Sequence, residues 1–246
     1  MKTLPSIPFI GVHRPRRQLL ERIDMVKVKG NEFVCCEPLL TCEEALKVVL
    51  ENLKAGNDIL LGDTHTETSH HLFYALAVKL ASSSGIQFVS GLELPSQLDE
   101  ELNNFVSNPR AHVDFAMSAI KRYYPRMGQL ENSLRGFILP TLQSLQVQVI
   151  PLDMYPRPRE SSENDDLVNE YMAHSLRDGK SNHEGLPVLG LVGAYHVKQE
   201  AIPKYSSNNM ICLHLGTNAT FHDDPETAIY KPGDFDGIVD LEAFKK

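Results

Sequence analysis

The chain has no tryptophan, only four cysteines among 246 residues, and no apolar run near the length of a membrane-spanning helix. A bilayer core demands roughly 20 consecutive apolar residues, so a helical span is excluded. Met1 to Arg17 lacks the continuous apolar segment of a secretory signal. The cysteines are too few for a disulfide framework in a chain this long. Cys35 and Cys36 are adjacent, Cys42 and Cys212 stand apart, and no Cys-x-x-Cys suggests zinc. Reduced thiols are expected, and with them, by default, a cytoplasmic location. Familiar catalytic signatures are missing too. There is no Gly-x-Gly-x-x-Gly after the first strand, no Walker A loop, no Gly-x-Ser-x-Gly and no His-Glu-x-x-His. A formal charge of -8 argues against nucleic acid or an anionic membrane as the partner.

What the chain does have is a regular alternation of short apolar runs and helical patterns. Thr41 and Glu44 have the spacing of a capping box. Ala45, Val48, Val49 and Leu53 then continue at helical period until Gly56. Residues 58–61 read as a strand, and Leu72, Ala75, Leu76, Val78 and Leu80 as a helix stopped by the Ser82 to Gly85 run. Strands are expected at 86–89, 147–152, 188–192, 210–215 and 237–240. Helices are expected within 97–128, broken at Pro109 and Pro125, and over 139–145 and 164–176. Asp165 and Asp166 suit the positive end of the last helix. Apolar strands without polar alternation, separated by helices, predict an α/β fold with a mainly parallel central sheet and helices on both faces. The length suits one domain over 1–246, with 1–40 as an extension. The 157–163 stretch reads as a loop able to cover the crevice at the strand ends.

Two of the strands end in the same four-residue pattern, Gly62-Asp63-Thr64-His65 and Gly193-Ala194-Tyr195-His196. Residues just past the carboxyl ends of parallel strands line the ligand crevice of such folds. Four strand ends then offer polar groups: Asp63 with His65, Glu93, Asp153 and His196. His65, His196 and Glu93 form a donor set suited to Mn, Fe, Co or Zn, which would activate water and polarise an ester, amide or phosphoryl oxygen. Without a metal, His65 or His196 is a candidate general base oriented by Asp63 or Glu93. Tyr195 is a candidate oxyanion donor or haem-iron ligand, with packing as its plain alternative. The plain alternatives for Asp63 and Glu93 are a helix cap and a solvated loop residue. His70 and His71 are expected at the surface or behind the site, and His214 in the core.

Three stretches carry a family resemblance. Leu60-Leu61-Gly62-Asp63-Thr64-His65 resembles the opening hydrophobic-Gly-Glu-x-His of the TIKI/TraB, erythromycin esterase-like and ChaN-like haem-uptake proteins. Phe88-Val89-Ser90-Gly91-Leu92-Glu93-Leu94-Pro95 resembles their next strand, and Leu191-Val192-Gly193-Ala194-Tyr195-His196-Val197 their closing Gly-x-x-His. With the Phe235-Asp236-Gly237-Ile238-Val239 ending, the likeness spans residues 57–240. It implies metal or catalytic roles for His65, Glu93 and His196, with Asp63 standing where the group usually has Glu. The activity implied is a metal-assisted or His-based hydrolase of an ester, lactone or peptide bond, acting on a small molecule or peptide. Members of the group also imply two alternatives, a haem or small-ligand carrier and an interaction module such as a toxin-domain relative. An Arg that many members carry before a Met-Ala is absent upstream of Met172-Ala173; Arg157 and Arg159 are the candidates to replace it in space.

Overall fold

The computed structural model describes residues 25–28, 31–34, 39–157, 162–206, 209–216 and 235–241. Strands β1 (Met25–Val28) and β2 (Asn31–Val34) pair antiparallel as a separate ribbon. The remaining strands are β3 (Leu39–Thr41), β4 (Asp58–Asp63), β5 (Val89–Pro95), β6 (Val149–Asp153), β7 (Val188–Gly193), β8 (Met210–Gly216) and β9 (Gly237–Asp240). They form one parallel seven-stranded sheet in the order β3-β9-β8-β4-β7-β5-β6, as the apolar strands predict. No helix among the described residues is long and apolar enough to cross a membrane.

Burial on both faces explains the unbroken apolar strands. All six residues of β4 are buried. Ile59 and Leu61 join one core with Leu92, Leu189 and Leu191, under the helices Cys42–Lys54, Thr68–Ser83, Asp99–Ser107, Val113–Tyr123 and Leu139–Leu145. Leu60 points the other way, toward Ile150, Leu152 and Val188 and the helix Ser162–Asn182 with its Val168, Met172 and Leu176. The first of these helices opens on the expected capping box, in which Thr41 Oγ1 accepts from the Glu44 amide and the Glu44 carboxylate accepts from that of Thr41.

Two elements differ from the expectation. The strand expected at 86–89 starts at Val89 and runs to Pro95, because Val89 to Leu92 pair with Val188 to Leu191 and Pro95 pairs with Asp153. Glu93 therefore sits within a strand, not in a loop. The helix expected over 164–176 extends to Asn182. Its extra turns carry Lys180 to the buried Asp58 at the head of β4, with Nζ 2.7 and 2.9 Å from the carboxylate oxygens. Asp58 also accepts from the Val188 amide.

Strand order places the site. From β4 the chain passes to β5 and β6 at one edge, then returns to insert β7 between β4 and β5. The connection leaving β4 covers one sheet face and that leaving β7 the other, so the two ends diverge and open a crevice, the topological switch point where α/β proteins bind ligands. Beside it Gly62 lets the turn after β7 lie against β4. A Cβ at Gly62 would overlap Val197 and stand 3.0 Å from the Ala194 Cα. Gly62→Ala is therefore expected to cost about 1–3 kcal/mol as an overpacking change, read as a lower urea midpoint at unchanged m-value.

Candidate functional site

The ends of β4, β7 and β5 bring Asp63, His65, Glu93 and His196 into one crevice. Asp63, level with Gly193 in the β4–β7 register, is buried. Its Oδ2 is 2.8 Å from His71 Nε2, and its two oxygens are 3.0 and 3.2 Å from His65 Nδ1. His71 Nδ1 in turn is 2.7 Å from Ser133 Oγ. The Thr64 amide donates to His70 Nδ1 at 2.9 Å, which ties the turn after β4 to the first turn of the Thr68–Ser83 helix. Burial opposes ionisation of Asp63, but hydrogen bonds from His65 and His71 outweigh it and hold its pKa below the usual value.

Glu93 is the meeting point. Its side chain is 8% exposed, His65 Nε2 lies 3.7 Å from Oε2, and His196 Nε2 lies 3.6 Å from Oε1. The Gly193 amide donates to Oε2 at 2.5 Å, and the Arg157 guanidinium donates to Oε1. Burial would raise the Glu93 pKa, yet His196 and His65 hold it well below the ordinary range. Asp63 and Glu93 together raise His65 to about 10 against the cost of desolvation. His65 is thus an imidazolium at neutral pH, both nitrogens donors. His196, in the short turn Ala194–Val197, gives Nδ1 to Asn169 Oδ1 at 2.7 Å, which turns Nε2 toward Glu93. Gly193 keeps the centre open: a Cβ there would stand 3.3 Å from Glu93 Oε2, tight enough to shift that carboxylate, and 3.6 Å from both rings.

Asp153, buried at the end of β6, receives Arg157 Nε at 2.8 Å on each oxygen. Burial pushes its pKa up in spite of that partner. Arg157 therefore bridges Asp153 and Glu93. Pro158 to Ser161 lie outside the described residues, as do Arg159 and the Cys35-Cys36 pair.

Several expectations are corrected. Asp63 is not a helix cap, since Glu67 takes that position before the Thr68–Ser83 helix. Of the two places expected for His70 and His71, the structure gives the one behind the site, where both are fully buried. Tyr195 does not pack: it is 44% exposed, edge-on to His196, with Lys198 Nζ 4.9 Å over its ring. His214 lies in the core as expected, stacked on Phe235. Asn169 and Ser133 carried no local signal and are found only by folding. Arg157 had one, a basic residue four positions after a strand-end Asp.

Among the described residues no set of three His, Cys, Asp or Glu side chains is arranged to hold a metal ion. Glu93 shows why, because its two oxygens already receive the Gly193 amide and a guanidinium. The pocket beside it, lined by Asp63, His65, Glu93 and five leucines, is open to solvent and too small to enclose a porphyrin.

No family model matches the chain, and no curated protein sequence matches it. Solved structures do. The type III effector HopBA1 is similar at a TM-score of 0.57 and 12% identity, over 89% of this chain and 96% of its own. ChaN of Campylobacter jejuni, a structure described for cofacial haem binding, is similar at 0.47 and 16% identity, over 78% of this chain and 89% of its own. RRSP, a MARTX toxin effector domain from Vibrio vulnificus CMCP6, is similar at 0.45 and 16% identity, over 71% of this chain and 35% of its own. At such identities the HopBA1 likeness shows a shared fold, and nothing at family level singles out the TIKI or erythromycin esterase branches.

His65 titrates late because its charged form is the one the site holds. A group whose folded pKa is raised contributes stability below its unfolded value, near 6.5 for histidine. That contribution fades as pH rises through about 10. Histidine NMR is expected to show the His65 ring protonated throughout pH 6 to 8, and Asp63→Asn to bring its titration down toward neutrality.

Proposed function

We propose that the protein is a hydrolase of an ester, lactone or peptide bond that relies on two histidines around one carboxylate, without a bound metal. One observation carries the reading: both imidazoles turn Nε2 toward the buried Glu93 while Asp63 and Asn169 anchor their other nitrogens. That division of labour sets an acid beside a base. His196, when neutral, has its Nε2 lone pair 3.6 Å from Glu93 Oε1 and becomes a donor to that carboxylate once protonated, and His65 presents an N–H.

In the proposed reaction a water gives a proton to His196 Nε2 as its oxygen attacks the carbonyl carbon. The carbonyl π pair moves onto oxygen, and the His65 imidazolium stabilises that charge. On collapse the bond to the leaving oxygen or nitrogen breaks, and the leaving atom takes the proton from His65 Nε2. Glu93 stabilises the imidazolium formed at His196, as a carboxylate does beside a catalytic histidine. Solvent then moves the proton from His196 back to His65. Arg157 keeps Glu93 and Asp153 apart and partly neutralised.

A panel of activated esters, lactones and chromogenic peptides tests the proposal. His65→Ala and His196→Ala are each expected to lower kcat/KM by about 10²–10⁴-fold with unchanged circular dichroism. Turnover is expected to survive chelation and to fall as pH rises through about 10, where His65 loses its proton. Full activity in either variant would sink the mechanism. Loss on chelation, restored by Mn, Fe, Co or Zn, would return the metal to it.

A further inference from the structure

The turn after β6 carries an exposed aromatic ring to which the proposed reaction gives no part. Arg157 Nε lies 2.8 Å from each Asp153 oxygen, which closes residues 153–157 into a turn with Tyr155 at its middle. The Tyr155 carbonyl accepts from Gln97 Nε2 at 2.9 Å, tying this turn to the short Ser96–Leu98 turn that follows β5. The ring is held as well, by two others at the end of the Val113–Tyr123 helix. Its centroid lies 5.0 Å from that of Tyr123, with the rings at 84°, and 6.5 Å from that of Tyr124, at 71°. Tyr155 is nonetheless 38% exposed, while its two neighbours are half-buried.

We propose that Tyr155 is a specificity-determining residue, and that it receives an aromatic ring carried by the substrate beside the scissile bond. The inference rests on the hydrolase reading above and names the substrate class of that site. Placement follows from Arg157, whose single guanidinium contacts both Asp153 and Glu93, so that the two strand ends lie side by side. Two residues of chain keep the Tyr155 Cα within about 7 Å of the Asp153 Cα. A substrate carbonyl held at Glu93 therefore has Tyr155 on its β6 side, a short side chain away. Rigidity favours the contact, because a ring already held by its neighbours loses little rotamer freedom on binding. Ring chemistry selects the ligand. Aromatic edges and faces attract through their quadrupoles, a gain that an aliphatic group of similar size does not make.

Matched ethyl esters, 3-phenylpropionate against 3-cyclohexylpropionate, test this, with hydrolysis read as proton release. The phenyl ester is expected to have the higher kcat/KM, by about 2–10-fold and chiefly through KM. Tyr155→Leu should bring that ratio to about one, and Tyr155→Phe should keep it. A tyrosine that only supported the turn would change both esters alike and leave the ratio. Equal rates in the unaltered protein, or a ratio that Tyr155→Leu preserves, overturns the aromatic subsite while the hydrolase reading stands. If neither ester nor ethyl acetate is hydrolysed, the hydrolase reading fails, and the subsite is then tested by fluorescence. The chain has no tryptophan, so Tyr155→Trp places a single reporter at the turn. Saturable quenching by 4-nitrophenylacetamide, relieved by phenylacetamide and not by cyclohexylacetamide, supports the subsite. Quenching that never saturates, or that cyclohexylacetamide relieves equally, overturns it.

Discussion

An ionised carboxylate with 8% of its side chain exposed is the constraint on which this molecule turns. Charge taken out of water is unfavourable by several kcal/mol unless partners replace the hydration. Glu93 meets that demand from three sources: a backbone amide of β7, a guanidinium after β6, and imidazoles after β4 and β7. No local segment could supply them all. Parallel pairing does, because Leu92 is level with Leu191, so Glu93 one residue on and Gly193 two residues on both fall just past the last paired position. Insertion of β7 between β4 and β5 is therefore what makes the ionised Glu93 tenable.

The same insertion divides the support between the two sheet faces. His65 is oriented by Asp63, which depends on His71 and Ser133 from helices of one layer. His196 is oriented by Asn169 from the long helix of the other. The two rings are thus fixed independently, and their distances to Glu93 report the spacing of the layers. A change in either layer moves one ring and not the other. Such a pair holds its geometry only in a tightly packed sheet, which is the use of Gly62 and Gly193, where a Cβ would meet a neighbour at 3.3 Å or less.

Local signals reveal some of this and not the rest. The repeated Gly-x-x-His could be read because a turn at a strand end leaves a fixed spacing, and the capping box at Thr41 because its two bonds lie three residues apart. Glu93 is recognisable as a strand-end acid, but the residue that extends β5 to Pro95 is Asp153 of β6, distant in sequence, so a loop reads equally well. Asn169 and Ser133 are ordinary polar residues on helices. Nothing near them in sequence tells that an imidazole arrives from residue 196 or residue 71. Tyr195 shows the opposite failure. It sits inside a motif, which suggests a function or a packed ring, yet a turn must send one of its side chains outward, and here the inward one is His196.

The charges around Glu93 bear on why a donor set of two histidines and a carboxylate need not hold a metal. A divalent ion would do two things in hydrolysis, stabilise the oxyanion and acidify water. His65, protonated with a pKa of about 10, is a fixed positive charge at the mouth of the crevice and can do the first. Arg157 adds a second charge that stays against Asp153 and Glu93 and so cannot follow the substrate. Neither group acidifies a water, so the proposed hydrolysis needs a separate base, the part it gives to His196. The cation and the base must then be different residues, held apart and answering to one anion, which is the geometry that Asp63, Asn169 and Glu93 impose. Exchanging Arg157 for a neutral side chain would leave Glu93 and Asp153 facing each other with less positive charge between them, and only then would the carboxylates favour an ion from solution.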